Sequence, residues 1–260
     1  MPAPDMMAIL AQRHPDKLAL VDDRPDGSII TLTYEALNRE ANRLAHTLRA
    51  HGIRRGDKIV WCGMNSIGVI RIIHAARKVG ATAVPLNYRF SPDEAAYVVD
   101  HCDAVLVVVD AEFADLMAAI RPRIPKVRHI IVFDGSPGPQ MLDGDALMKD
   151  ASDAEPELEE GKAAATMIYT SGTTGKPKGA LRTGLGDRRQ VLEMIQLIGY
   201  QPDDVFLEYQ QVFLQVGHIL AVGFNFQRDF RPGRGISVFI QLINEFEHFF
   251  KSGVEHFTVH

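Results

Sequence analysis

Cysteine is nearly absent: only Cys62 and Cys102 occur in 260 residues. Both sit in apolar surroundings, IVWCGM and DHCDAVLVVV, with no CxxC pair and no Cys/His ligand spacing. That pattern argues against a disulfide scaffold or zinc module and for two ordinary buried thiols. Positive charge is also short, with 28 Lys and Arg against 33 Asp and Glu, a balance of −5. The overall basic field that draws proteins to nucleic acid or anionic lipid is missing, so no nucleic-acid partner is expected. No apolar run approaches the roughly 18 residues of a membrane span. The start, MPAPDMMAILAQRHPDK, lacks the cationic and apolar regions of a secretory leader, so no transmembrane segment and a cytoplasmic setting are expected.

What is present is enough apolar material for a core, 46% of residues. The acidic excess is confined to residues 151–160 (ASDAEPELEE), where Asp153, Glu155, Glu157, Glu159 and Glu160 stand without a Lys or Arg. Residues 1–135 alternate helix and strand patterns. Thr33 reads as an N-cap for a helix to about residue 50, with Leu37, Ala41, Leu44 and Leu48 at three- and four-residue steps and Gly52 as its stop. KIVWC (58–62) reads as a strand, and Ser66 opens a helix ending near Gly80. Ser91-Pro92-Asp93-Glu94 is a capping box that predicts a helix over 92–101. AVLVVV (104–109) reads as a strand covered on both faces, residues 111–120 as a helix, and HIIVF (129–133) as another strand. This alternation predicts an α/β fold of three-layer αβα units with mostly parallel sheets. Three regions are expected: a first αβ subdomain (1–135), an acidic surface connection (136–162) rich in turn residues, and a second αβ subdomain (163–260) that opens with a strand over 164–169.

Residues 169–180 read YTSGTTGKPKGA. Glycines let backbone N–H groups approach an anion, the hydroxyls of Thr170, Ser171, Thr173 and Thr174 can donate to phosphate oxygens, and Lys176 and Lys178 add charge. A Walker loop needs four residues between its glycines and then Lys-Ser/Thr; here two residues separate Gly172 from Gly175, and Pro177 follows Lys176. A merely solvated loop has no need of so many donors behind a buried strand.

This segment resembles the signature loop of the AMP-forming adenylating enzymes, the superfamily of acyl-CoA synthetases, luciferases and peptide-synthetase adenylation domains. TLTYEALNREANRLAHTLRAHGIRRGDKIV and HAARKVGATAVPLNYRFSPDEAAYVVDHCDAVLVVV are similar to the family's opening units, and the likeness runs over about residues 5–207. The wording is most similar to bacterial fatty-acyl-CoA synthetases. The resemblance implies an ATP-dependent ligase that uses Mg2+ and coenzyme A: a carboxylic acid attacks the α-phosphate, pyrophosphate leaves, and the thiol opens the acyl-adenylate. It also implies that Thr170, Ser171, Gly172, Thr173, Thr174 and Gly175 cradle phosphate, with Lys178 and secondarily Lys176 supplying charge. No catalytic nucleophile, base or metal ligand is assigned.

The pattern breaks downstream. The family's aromatic-Gly-x-Thr-Glu motif is absent, for the sequence has no Thr-Glu dipeptide, and no Thr precedes Gly56-Asp57, Gly144-Asp145 or Gly186-Asp187. The family's mobile C-terminal domain with its lysine is absent too. Residues 211–260 hold nine of 13 phenylalanines and four of ten histidines. Here the family's pocket histidine falls on Gln215, its preceding proline on Val212, and His218 lies off register; ISVFI reads as a strand. His256 and His260, four apart on an extended pattern, are too far apart to share a metal ion. The expectation is a truncated or split chain with little activity alone, which needs a complementing C-terminal fragment or self-associates. The alternative is a non-enzymatic interaction module built on the aromatic last third.

Overall fold

The computed structural model describes residues 5–24, 27–157, 165–170, 176–183, 206–208 and 237–239. Near the N-terminus lie α1 (Met6–Arg13), β1 (Leu18–Asp23) and β2 (Ile29–Thr33), none of which the periodicity reveals. The Thr33 hydroxyl accepts the Ala36 N–H at 3.2 Å and starts α2 (Tyr34–Ala50), which buries Leu37, Ala41, Leu44 and Leu48 as its spacing predicts. Gly52 closes it at φ +78°, a backbone conformation that costs glycine no Cβ clash. Next come β3 (Lys58–Cys62), α3 (Ile67–Lys78) capped by Ser66, and β4 (Thr82–Leu86). The Ser91/Glu94 capping box is formed in both directions at the head of α4 (Pro92–His101), at the predicted bounds. β5 (Ala104–Asp110) follows. The helix expected over 111–120 begins as a 3-10 turn, Ala111–Phe113, before α5 (Ala114–Ile120), and β6 (His129–Phe133) comes after it.

The acidic surface connection expected over 136–162 contains β7 (Leu142–Asp143) and α6 (Gly144–Lys149), both too short for periodicity to show. Its acidic part is also tied down. The Asp153 carboxylate accepts from Arg39 at 2.6 Å and from Arg43 at 3.3 Å, Asn42 donates to the Asp153 carbonyl, and His46 meets the Ala154 carbonyl at 3.0 Å. Glu155 reaches Lys78, whose side chain is fully buried and also pairs with Asp5 at 3.5 Å. β8 (Ala165–Thr170) covers the predicted strand over its described residues and is followed by β9 (Lys178–Thr183), β10 (Phe206–Glu208) and β11 (Ser237–Phe239), the last inside the predicted ISVFI strand. Gln215, Val212, His218, His248, His256 and His260 lie outside the described residues.

Seven strands form one sheet in the order β7-β6-β5-β3-β4-β8-β9, parallel throughout except for the β8-β9 hairpin. Its central strands bury both faces. Ile59, Trp61, Leu106, Val108, Ile131 and Phe133 pack with α2 and α3, whereas Val60, Cys62, Val107, Val109, Ile130 and Val132 pack with α4 and α5. The two-residue period of a strand thus divides one apolar run between two cores and gives three layers. A second, antiparallel sheet runs β10-β11-β1-β2. In the large sheet β4 lies on one side of β3 and β5 on the other, so strand order reverses at β3, where α/β sheets open a crevice at their carboxyl ends.

Candidate anion-binding site

The β8-β9 hairpin presents the glycine- and hydroxyl-rich segment. Tyr169 pairs with Gly179 and Thr170 with Lys178, so the ladder closes at the two residues bracketing the turn. Ser171, Gly172, Thr173, Thr174 and Gly175 lie outside the described residues. Thr170 is the last residue of β8, while Lys176 and Lys178 are both exposed, with their ammonium heads available to an anion. These donors fit the phosphates of ATP in sign and type. Among the described residues no group of three or more His, Cys, Asp or Glu gathers to hold a metal ion, so no described ligand set fits Mg2+.

One end of the hairpin is fixed from α4. The Tyr169 phenol hydrogen-bonds His101 Nδ1 at 2.7 Å, with the two rings nearly perpendicular at 5.8 Å. Tyr97, one turn earlier on α4, lies against the His101 ring at 5.0 Å and has the Lys176 ammonium 5.3 Å from its ring centre. Burial pushes the Tyr169 phenol above its ordinary pKa, so the hydroxyl stays protonated at neutral pH. The Tyr169 ring lies close over Gly179, where a Cβ would sit 3.0 Å from it and make the ring give by a few tenths of an ångström. Sequence reasoning missed Tyr97, His101 and the role of Tyr169. The available signal was the four-residue spacing of two rings on α4 beside the motif's first aromatic.

A second polar feature lies at the carboxyl end of β5. Asp110 is 8% exposed, and its carboxylate accepts the Met64 N–H at 3.1 Å while Oδ1 has no partner. Burial, then the nearby charge of Asp134, pushes its pKa up to about 7. A Cβ on Gly63 would collide with this carboxylate and with the Trp61 ring, so the acid is packed tightly into the strand ends. Burial likewise pushes the free thiols up, Cys62 to about 12 and Cys102 to about 11, which leaves both inert as nucleophiles. Among the described residues no helix is long and apolar enough to cross a membrane.

A mostly parallel sheet covered by helices on both faces, with a glycine- and lysine-bearing hairpin as its edge, defines the α/β class of the N-terminal domain of adenylate-forming enzymes. Residues 8–226 match the AMP-binding enzyme family, and the chain belongs to it. It is 31% identical over 173 residues to a 3-oxocholest-4-en-26-oate–CoA ligase of Rhodococcus rhodochrous, covering 64% of this chain and 30% of that one. It is 30% identical over 223 residues to a 3-hydroxybenzoate–CoA ligase of Aromatoleum sp. (strain CIB), covering 82% and 40%. Its fold is similar to that of the anthranilate–CoA ligase AuaEII, solved in complex with anthranoyl-AMP, with a TM-score of 0.70, 25% identity and coverage of 77% and 39%. The chain spans about a third of the length of the curated relatives it matches.

Proposed function

We propose that this chain is the polyphosphate-binding part of an AMP-forming carboxylate–CoA ligase, acting in the cytoplasm. The observation that carries the reading is YTSGTTGKPKGA standing between the paired strands β8 and β9, with Lys176 and Lys178 exposed at its far end. In this reading Thr170 to Gly175 hold the β- and γ-phosphates through N–H and O–H donors. Lys178 places its charge where pyrophosphate becomes a free anion, and Lys176 adds a second positive charge. ATP, with Mg2+, supplies the electrophilic phosphorus and coenzyme A the thiol that takes the acyl group. The acid is a fatty, steroid or aromatic carboxylate, the classes named for the relatives.

Little turnover is expected from the chain alone. Its sequence holds neither a Thr-Glu pair nor a Thr-Gly-Asp triplet, the motifs that grip magnesium and ribose in the resembling family, so a complementing fragment would supply them. Pyrophosphate–ATP exchange with a panel of these acids tests this. Silence from the chain with every acid is expected; exchange that Lys178→Ala abolishes would overturn the low-turnover part and retain the loop assignment.

A further inference from the structure

At the amino ends of β3 and β6, away from the hairpin turn that follows the carboxyl end of β8, two imidazoles and two guanidiniums meet. His51 is the C-cap of α2 and His129 the first residue of β6; their rings lie 5.4 Å apart between centres and nearly perpendicular. Arg128, beside His129, folds back over Gly52: its Nη2 donates to the Gly52 carbonyl at 3.2 Å and lies 3.4 Å from the Asp57 carboxylate. Arg121, in the turn after α5, donates through Nη1 to the Ile124 carbonyl at 3.3 Å. α2 and α5 both end here, and the carboxyl end of a helix accounts for one cation apiece. It does not account for the donors left over: a guanidinium carries five N–H groups, and each of these two uses a single nitrogen. Desolvation first, then the charges of His51, Arg128 and Arg121, hold the His129 ring below its ordinary pKa. Asp57, the acid that reaches the cluster, is taken up by Arg128 and by the Arg54 N–H at 2.9 Å. His51 Nδ1 meets the Thr47 carbonyl at 2.8 Å; a carbonyl only accepts, so Nδ1 carries the proton of the neutral ring and Nε2 is the nitrogen that can gain another.

We propose that His51, Arg121, Arg128 and His129 form an anion site separate from the hairpin, one that takes the phosphate monoester or sulfate group of a small soluble ligand. Groups that repel one another as cations lose that repulsion when a dianion sits among them, and the guanidinium forks match its oxygens two at a time. The same anion favours the protonated form of both rings, so binding takes up protons and tightens as pH falls. A divalent metal ion fits less well, because two permanent positive charges stand beside the imidazole pair. The net charge of −5 disfavours an anionic membrane as the source of the phosphate. The site shares no residue with the hairpin and does not depend on the reading of residues 169–180.

The test follows the ring signals of His51 and His129 by NMR while the full chain is titrated with sodium sulfate, a dianion at every working pH, at an ionic strength held constant with chloride. Sulfate is expected to raise the pKa of both rings by about one unit, so that binding is on the order of tenfold tighter near pH 6 than near pH 8. Arg121→Gln and Arg128→Gln should each bind sulfate roughly tenfold more weakly. The double variant His51→Gln/His129→Gln, followed by calorimetry, should bind without pH dependence. If Arg128→Gln, which also loses the tie to Gly52, fails to fold, Arg121→Gln carries the comparison. Lys178→Ala is expected to leave the response of both rings unchanged, so failure of the hairpin assignment and failure of this site are read separately. With vesicles of phosphatidic acid the chain is expected to stay in solution; sedimentation that Arg121→Gln abolishes would overturn the soluble ligand in favour of a lipid phosphate. Ring signals that ignore sulfate, a response that chloride reproduces, or sulfate binding indifferent to both arginines would overturn the site, as would zinc binding by the two rings in place of sulfate.

Discussion

Asp110 carries a carboxyl group into a place where its charge is poorly supported: one oxygen accepts the Met64 N–H, the other has no partner, and the acid holds its proton up to about pH 7 against an ordinary 3.8. At about pH 2.5 the folded and unfolded chains both keep that proton. As pH rises toward 7 the unfolded chain ionises first, so the folded state loses stability across that window, by on the order of 4 kcal/mol once both are ionised. Asp110→Asn keeps an acceptor for Met64 and cannot ionise. The variant is expected to match the parent at about pH 2.5 and to exceed it at pH 8, read as urea midpoints; an equal gap at both pH values would contradict the account. His74 titrates in the opposite sense. Burial pushes it down to about 4, so its contribution is present above 6.5 and fades as pH falls through 4, which makes the pairwise comparison with Asp110→Asn necessary.

Elements differ in how openly the sequence announces them. α4 is legible because Ser91, Pro92 and Glu94 are within one turn of each other, and β3, β5 and β6 because their apolar residues are consecutive. β7 and α6 are not, since two and six residues carry no period. Nor is the fastening of the acidic run to α2 and α3: Arg39 and Asp153 are 114 residues apart, and nothing local links them. Of these ties the Lys78 contact is expected to matter most, because Lys78 has no exposed side chain whereas Arg39 is half in solvent. Lys78→Ala removes the buried cation that Asp5 and Glu155 share, while Asp5 keeps the Met7 and Ala8 N–H groups and Arg77, and Glu155 keeps Asn38, so a loss of about 2 kcal/mol is expected. Arg39→Ala breaks a surface pair and should leave the urea midpoint almost unchanged. Equal effects of the two substitutions would show that burial is not what holds the strap.

At the scale of the molecule, the alternation of strands and helices is enough to predict a parallel, helix-covered sheet, while YTSGTTGKPKGA carries the proposal of an anion site. The strand order was not readable, because nothing in residues 58–110 states that β5 returns to the far side of β3 after β4. The second sheet was hidden for a similar reason: β11 comes from the segment where family likeness breaks, yet it pairs with β1 at Leu20 and Val21, more than 200 residues earlier in the chain. Within the candidate site, the lysines were visible in the motif, while the Tyr97–His101–Tyr169 contacts depend on how α4 meets β8, which the four-residue spacing of Tyr97 and His101 does not state by itself. The central claim is that this hairpin takes the phosphate end of ATP. The most direct measurement is phosphorus NMR of ATP titrated with the chain and with Lys178→Ala. The account predicts that the parent broadens the β- and γ-phosphate resonances and that Lys178→Ala leaves them sharp; equal broadening by the two proteins, or none by the parent, would contradict it.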